Sequence, residues 1–217
     1  MTDAQQMLIR YSFNAVVIGI VFFSIIIHEV SHAWMANWLG DDTAKRQNRL
    51  SLNPLKHVDP FGTVILPILL YFTAGFVFGY AKPVPINPYN FRDFKRDSGL
   101  VALAGPVSNI LIAVLFALVY HLSPELIIVK SLAFTVILMN LLLAFFNLIP
   151  VPPLDGSKVL GMFLGDQAYY KWTMQERKGM MILVAVLIGS QILRINIVGR
   201  LVVPIVYWVM RLLGIAI

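Results

Sequence analysis

The stretch Ile25-Ile26-Ile27-His28-Glu29-Val30-Ser31-His32-Ala33-Trp34 decides how this chain is read. On a helix, His28 and His32 are separated by roughly 40° around the axis and one turn along it, so both imidazoles face the same way. Two neutral imidazoles at this spacing can share one metal ion. Glu29 then lies on the side where a water activated by that metal would sit, ready to take its proton. The setting strengthens the reading. From Ala15 to Ile27 there is no charged residue, and ionisable groups inside an apolar span are costly and by default functional.

Outward from this stretch, the composition is that of a membrane protein. Of 217 residues, 59% are hydrophobic and 13% charged, against about 25% charged in a soluble domain. Apolar runs are long enough to cross a hydrocarbon core of about 30 Å. The fold expected is all-α and polytopic, a multi-pass protein of the cell membrane and a single domain over residues 1–217. The net charge of +6 reads as a basic cytoplasmic surface rather than a nucleic-acid site. The chain has no cysteine, which removes disulfides, thiolate metal sites and thiol redox chemistry. The first residues lack the basic region of a cleaved signal peptide, so the first helix is expected to be retained.

Along the chain, a first helix is predicted over Tyr11–Leu39, ended by Gly40-Asp41-Asp42. A basic loop follows, then an apolar stretch Phe61–Ala81, then a second basic loop rich in Pro and Asn. Two strong spans, Ser98–Leu122 and Glu125–Leu148, are joined at Ser123-Pro124. A short amphipathic piece reaches Lys178, and a C-terminal helical pair occupies 179–217 beside a core of about 11–165. If Phe61–Ala81 crossed the membrane, its two basic flanks would lie on opposite faces, against the positive-inside tendency. A re-entrant or hairpin segment over 61–81, with about five full spans elsewhere, puts both loops, Asp155, Arg211 and the C-terminus on one side, read as cytoplasmic; the alternative is six spans. Backbone that turns back inside the membrane must be buried in protein or line a wet cavity.

A catalytic zinc usually takes three protein ligands and keeps a fourth position for water. The residues leave two candidates for the third, His57 and Asp155. Asp155 follows a long apolar span in Pro152-Pro153-Leu154-Asp155-Gly156; it reads either as a ligand or as the N-cap of the next short helix. His57 otherwise reads as a solvated loop histidine. His121 reads as interfacial, and Trp34, Trp38, Tyr120, Trp172 and Trp208 as anchors near span ends. Gly105 and Pro106 read as residues permitting close helix approach and a local kink.

Three motifs in this order carry a family resemblance: His28-Glu29-Val30-Ser31-His32, Ala104-Gly105-Pro106-Val107-Ser108-Asn109, and Asn147-Leu148-Ile149-Pro150-Val151-Pro152-Pro153-Leu154-Asp155-Gly156. Together they resemble the site-2 proteases, zinc intramembrane metalloproteases, over about Val16–Gly165. The resemblance implies one Zn²⁺ held by His28, His32 and Asp155, with Glu29 as general base. It also implies a site within the membrane towards the cytoplasmic side, and Asn147 and Asn109 as contacts for the scissile peptide or its oxyanion. The activity implied is hydrolysis of a peptide bond in or near a transmembrane segment, in regulated intramembrane proteolysis. The expected partners are a membrane-spanning substrate and the lipid bilayer, with no nucleic acid. Asn53–Gly62 and Ala81–Pro88 resemble the compact bacterial members, without a PDZ or CBS domain. A metal-ion transporter is the rival class; one such motif with a single distant aspartate and no inverted repeat fits it poorly.

Overall fold

The computed structural model describes residues 3–65, 69, 72, 82–123, 125–193 and 195–215. Among these the chain is all-α, with no strand. The first helix, α1 (Asp3–Trp38), has 36 residues and so measures about 54 Å at 1.5 Å per residue. It begins well before the predicted Tyr11. Its first half exposes Met7, Leu8, Tyr11, Val16 and Ile18, the surface a span presents to lipid. Its second half buries the row Ser24, His28, His32 and Ala36, one residue per turn on one face. Gly40, at φ +111°, ends it. The amide of Asp41 bonds the Ala36 carbonyl at 2.8 Å and that of Gly40 the Asn37 carbonyl at 3.3 Å, the paired bonds of a Schellman stop. A one-turn helix, α2 (Thr43–Arg46), follows.

Helix α3 (Phe94–Leu122) is opened by Asp93, whose carboxylate accepts from the Lys95 and Arg96 amides. Asp97 returns the favour by accepting the Asp93 amide at 3.1 Å, so the first turn is capped from both ends. Helix α4 (Ile127–Asn147) runs back alongside it. Three described helices, α1, α3 and α4, are long and apolar enough to cross a membrane. Helix α3 is central, packing on α1, on α4 and on the short helix α5 (Asp155–Gly161). Ala102, Ala113, Ala117, Ala133 and Ala144 of α3 and α4 are all buried, as expected where lipid supplies no hydrophobic drive and small residues let backbones approach.

Beyond α5 come α6 (Asp166–Thr173), α7 (Glu176–Ile192) and α8 (Ile197–Leu212). Trp172 donates its indole N–H to the Ser157 carbonyl at 2.9 Å, so it ties α6 to α5 rather than acting only as a surface anchor. Trp34, Trp38 and Trp208 are exposed. The expected C-terminal helical pair over 179–217 is seen as α7 and α8. With 17 and 16 residues, α7 and α8 measure about 26 and 24 Å. Moreover, the end of α8 meets the far end of α3: His121 Nε2 lies 2.8 Å from the Leu213 carbonyl. The end of α8 and Arg211 therefore lie opposite the start of α3, not on its side.

The interior of the predicted re-entrant stretch 61–81 lies outside the described residues, apart from Phe61–Ile65, which form a π-helical turn with Pro60, and positions 69 and 72. Its two flanks are described, and they meet. The Lys82 amide donates to the His57 carbonyl at 2.9 Å, and Arg49 donates to the carbonyls of Lys82 and Pro83. His57 itself is wholly buried, with Nε2 2.6 Å from the Ser51 carbonyl. The solvated loop histidine is thus corrected to a structural one at the base of this excursion.

From that base, residues 82–87 form an extended strap across the end of α1. Val84 packs on Ala33 and Ala44. Asp41, 1% exposed, accepts from the amides of Asn87 and Thr43, the Asn90 side chain and the Thr43 hydroxyl. Burial pushes the Asp41 carboxyl up, but these donors outweigh it and hold it below the ordinary aspartate value. A carboxyl that titrates lower when folded lends stability that is complete above the unfolded value and is lost as pH falls through the folded one. Asp41→Asn turns an N–H towards groups that are themselves donors. It is expected to cost about 1–3 kcal/mol at neutral pH and to flatten the acid limb of the stability curve. Thermal unfolding of both proteins in detergent between pH 7 and pH 3 measures this.

Candidate metal centre

His28 and His32 reach the site from the buried row of α1, and Asp155 reaches it from the first position of α5. The last is delivered by a tight return of the chain after α4. A Cβ on Gly156 would lie 2.1 Å from the Leu148 carbonyl oxygen, so only glycine lets the segment fold back this closely. Asp155 makes no capping bond; the N-cap position is Leu154. Its Oδ2 lies instead 3.2 Å from His28 Nε2 and 3.4 Å from His32 Nε2, and the two Nε2 atoms are 3.1 Å apart. Of its two readings from sequence, the geometry favours ligand over cap.

Hydrogen bonds on the far side of each ring fix which nitrogen of the neutral imidazole carries the hydrogen. His32 Nδ1 lies 2.7 Å from the Val101 carbonyl, which can only accept, so Nδ1 holds the hydrogen and Nε2 a lone pair. His28 Nδ1 lies 2.7 Å from Asn109 Oδ1, and Asn109 Nδ2 donates to Asn140 Oδ1 at 2.9 Å. His28 Nε2 therefore also carries a lone pair. With both rings neutral, two imidazole lone pairs and a carboxylate oxygen converge, a repulsive set that a metal cation among them relieves. A tetrahedral zinc with bonds of about 2.0–2.1 Å separates its ligand atoms by about 3.3 Å, which these distances match. Both rings are also oriented by outer partners, as ligating histidines are. The three side chains fit a zinc ion.

Helix α3 supplies both outer partners and comes unusually near. A Cβ on Gly105 would lie 2.5 Å from His32 Cε1 and Nε2 and 2.6 Å from His28 Cε1. The close-approach reading of Gly105 is given a specific cause, since a methyl group here would occupy the space of the rings. Glu29, half-buried, accepts the Val84 amide at Oε2 at 3.1 Å. In Pro83-Val84-Pro85 only Val84 has an N–H to give, and the following proline favours its extended backbone.

The structure separates the two asparagines drawn from sequence. Asn109 is 0% exposed with both ends of its amide engaged. Its expected contact with a substrate is corrected to a contact with His28. Asn147, half-buried, donates to the Leu143 carbonyl of its own helix at 2.9 Å. His57 donates nothing to the three-ligand group. Sequence reasoning missed Asn140, Val101 and Val84. For Asn140 there was a signal, an amide within the apolar run Ile137-Leu138-Met139-Asn140-Leu141-Leu142-Leu143; for backbone groups there was none.

A model of peptidase family M50 matches residues 122–190. "Putative zinc metalloprotease YwhC" of Bacillus subtilis (strain 168) is 37% identical over 182 residues, covering 78% of this chain and 80% of that one. The chain belongs to peptidase family M50, the site-2 protease family. "Putative zinc metalloprotease Rip2" of Mycolicibacterium smegmatis is 28% identical over 196 residues, 89% of this chain and 72% of its own. "Putative zinc metalloprotease MJ0611" of Methanocaldococcus jannaschii is 35% identical over 98 residues, 43% of this chain and 50% of its own. No solved structure matches. This M50 member is a zinc metalloprotease of the membrane.

Gly105→Ala in this M50 chain is expected to abolish zinc binding while the helices persist. Metal content after loading, read beside circular dichroism, checks it; full zinc occupancy in the alanine variant would contradict the fit described.

Proposed function

We propose that this M50 protease cleaves a peptide bond within or next to a transmembrane segment of another membrane protein, in regulated intramembrane proteolysis, from a site facing the cytoplasm. The observation that carries this is the position of His28 and His32, buried inside the long apolar α1. Residues 11–165 form the catalytic core in this reading, with the C-terminal helices of 179–217 beside it. The cytoplasmic assignment is supported by charge. Lys45, Arg46, Arg49, Lys56, Lys82, Arg92, Lys95, Arg96, Lys158 and Lys171 lie in the segments that join the site-side ends of α1, α3 and α4. Lys130 and Arg211 belong to the other side.

His28, His32 and Asp155 are assigned as the zinc ligands. When bound, zinc supplies a Lewis acid that polarises the scissile carbonyl and acidifies a water. Glu29 is the base. With Oε2 steadied by the Val84 amide, its carboxylate takes one proton from the attacking water and returns it to the leaving amine. The hydroxyl ends on the carbonyl carbon, the C–N bond breaks, and Glu29 is regenerated. Asn147, at the end of α4 and eight positions before Asp155, is assigned to the substrate backbone. A substrate helix must unwind locally to present its peptide bond, because its own hydrogen bonds shield it.

Glu29→Gln is expected to keep zinc and to lower cleavage of single-span membrane peptides by about 10²–10⁴-fold. Parallel zinc analysis and product detection by mass spectrometry read both quantities. Undiminished cleavage by the glutamine variant would remove Glu29 from this role.

A further inference from the structure

The two histidines of the centre are oriented by unlike means. His32 gives its Nδ1 hydrogen to the Val101 carbonyl, an acceptor that cannot be turned round. His28 faces a carboxamide, Asn109, whose two ends have nearly the same shape and opposite hydrogen-bonding sense. Reversed, Asn109 would offer an N–H to His28 Nδ1. The imidazole would then have to accept there, moving its own hydrogen to Nε2 and removing the lone pair a metal needs.

Asn140, on α4, forbids the reversal. Its Oδ1 takes the Asn109 Nδ2 hydrogen at 2.9 Å, and its own Nδ2 donates to the Val136 carbonyl at 2.9 Å. A backbone carbonyl can only accept, so the sense of the whole chain is set at Val136: Asn140 gives to Val136, Asn109 to Asn140, and His28 to Asn109. Asn109 and Asn140 are both 0% exposed, so solvent cannot stand in for either. An amide placed among apolar residues costs free energy unless its groups are bonded, and here each amide is bonded at both ends.

We propose that Asn140 is a positioning residue of the metal centre: acting through Asn109, it fixes the tautomer of His28 that leaves Nε2 free for the metal. This rests on His28 being a zinc ligand, and the experiment separates the two claims. The chain has 4 histidines, so metal-free protein labelled with ¹⁵N at histidine gives a resolvable long-range ¹H–¹⁵N spectrum in detergent. His28 is expected as the Nδ1–H tautomer. Asn140→Leu is expected to populate Nε2–H at His28 and to weaken zinc binding by about 10–100-fold in competition with a chromophoric chelator. Asn109→Asp in that background is expected to restore both, because a carboxylate accepts at either oxygen and has no wrong way round.

The signals of His32 and His57 report in the same spectrum whether the variant has folded. Asn140→Asp, which keeps the acceptor, is expected to hold the wild-type tautomer, and a switch to Nε2–H there overturns the proposal even if the leucine variant does not fold. An unchanged tautomer and zinc affinity in folded Asn140→Leu also overturns it. So does a loss that Asn109→Asp fails to restore, which would assign Asn140 to packing alone. Zinc affinity that ignores His28→Ala overturns the ligand assignment instead, while the metal-free spectrum still judges Asn140.

Discussion

The close crossing of α1 and α3 is the constraint on which the centre depends. Helix α1 brings both imidazoles, but their orientation comes from α3, through the Val101 carbonyl and Asn109. These partners reach the rings only because Gly105 lacks a Cβ that would stand 2.5 Å from His32. In the bilayer no hydrophobic drive pushes helices together, so approach relies on small residues and on polar bonds between them. Here one face of α3 supplies both. The third ligand depends on the same helix, because α5, which carries Asp155, packs on α3.

What sequence made legible is what local periodicity or cost can encode. His28, Glu29 and His32 follow from one turn of helix, and Asp155 from a carboxylate that would be expensive beside an apolar span unless something paired with it. The apolar runs gave α1, α3 and α4 to within a few residues at most ends. The C-terminal helices were harder, since a run of apolar residues sets the length of a helix but not its direction, and the bond from His121 to Leu213 is invisible in the chain order. His57 misled for a related reason. A polar loop composition says solvent, whereas burial is decided by where Ser51 and Lys82 come to rest around it. Asn109 was singled out as a substrate contact, but its side chain meets His28 and, across two helices, Asn140, a pairing that chain order does not show.

Glu29 differs from His28 and His32 in its support. The histidines are held by partners within the helical bundle, whereas Glu29 is held by a strap whose own anchors are Asp41 and Arg49 in the loop after α1. Glu29 and the two histidines thus share α1, but their side chains are steadied by different parts of the fold.

The flanks on either side of the segment between His57 and Lys82 are joined to one another and to Arg49. Because the Lys82 amide, the His57 carbonyl and Arg49 pin its two ends at one point, the scaffold sees only a closed base, whatever lies between. The helices that build the centre are therefore tied to both flanks at a single point, through bonds that involve His57, Lys82 and Pro83 directly.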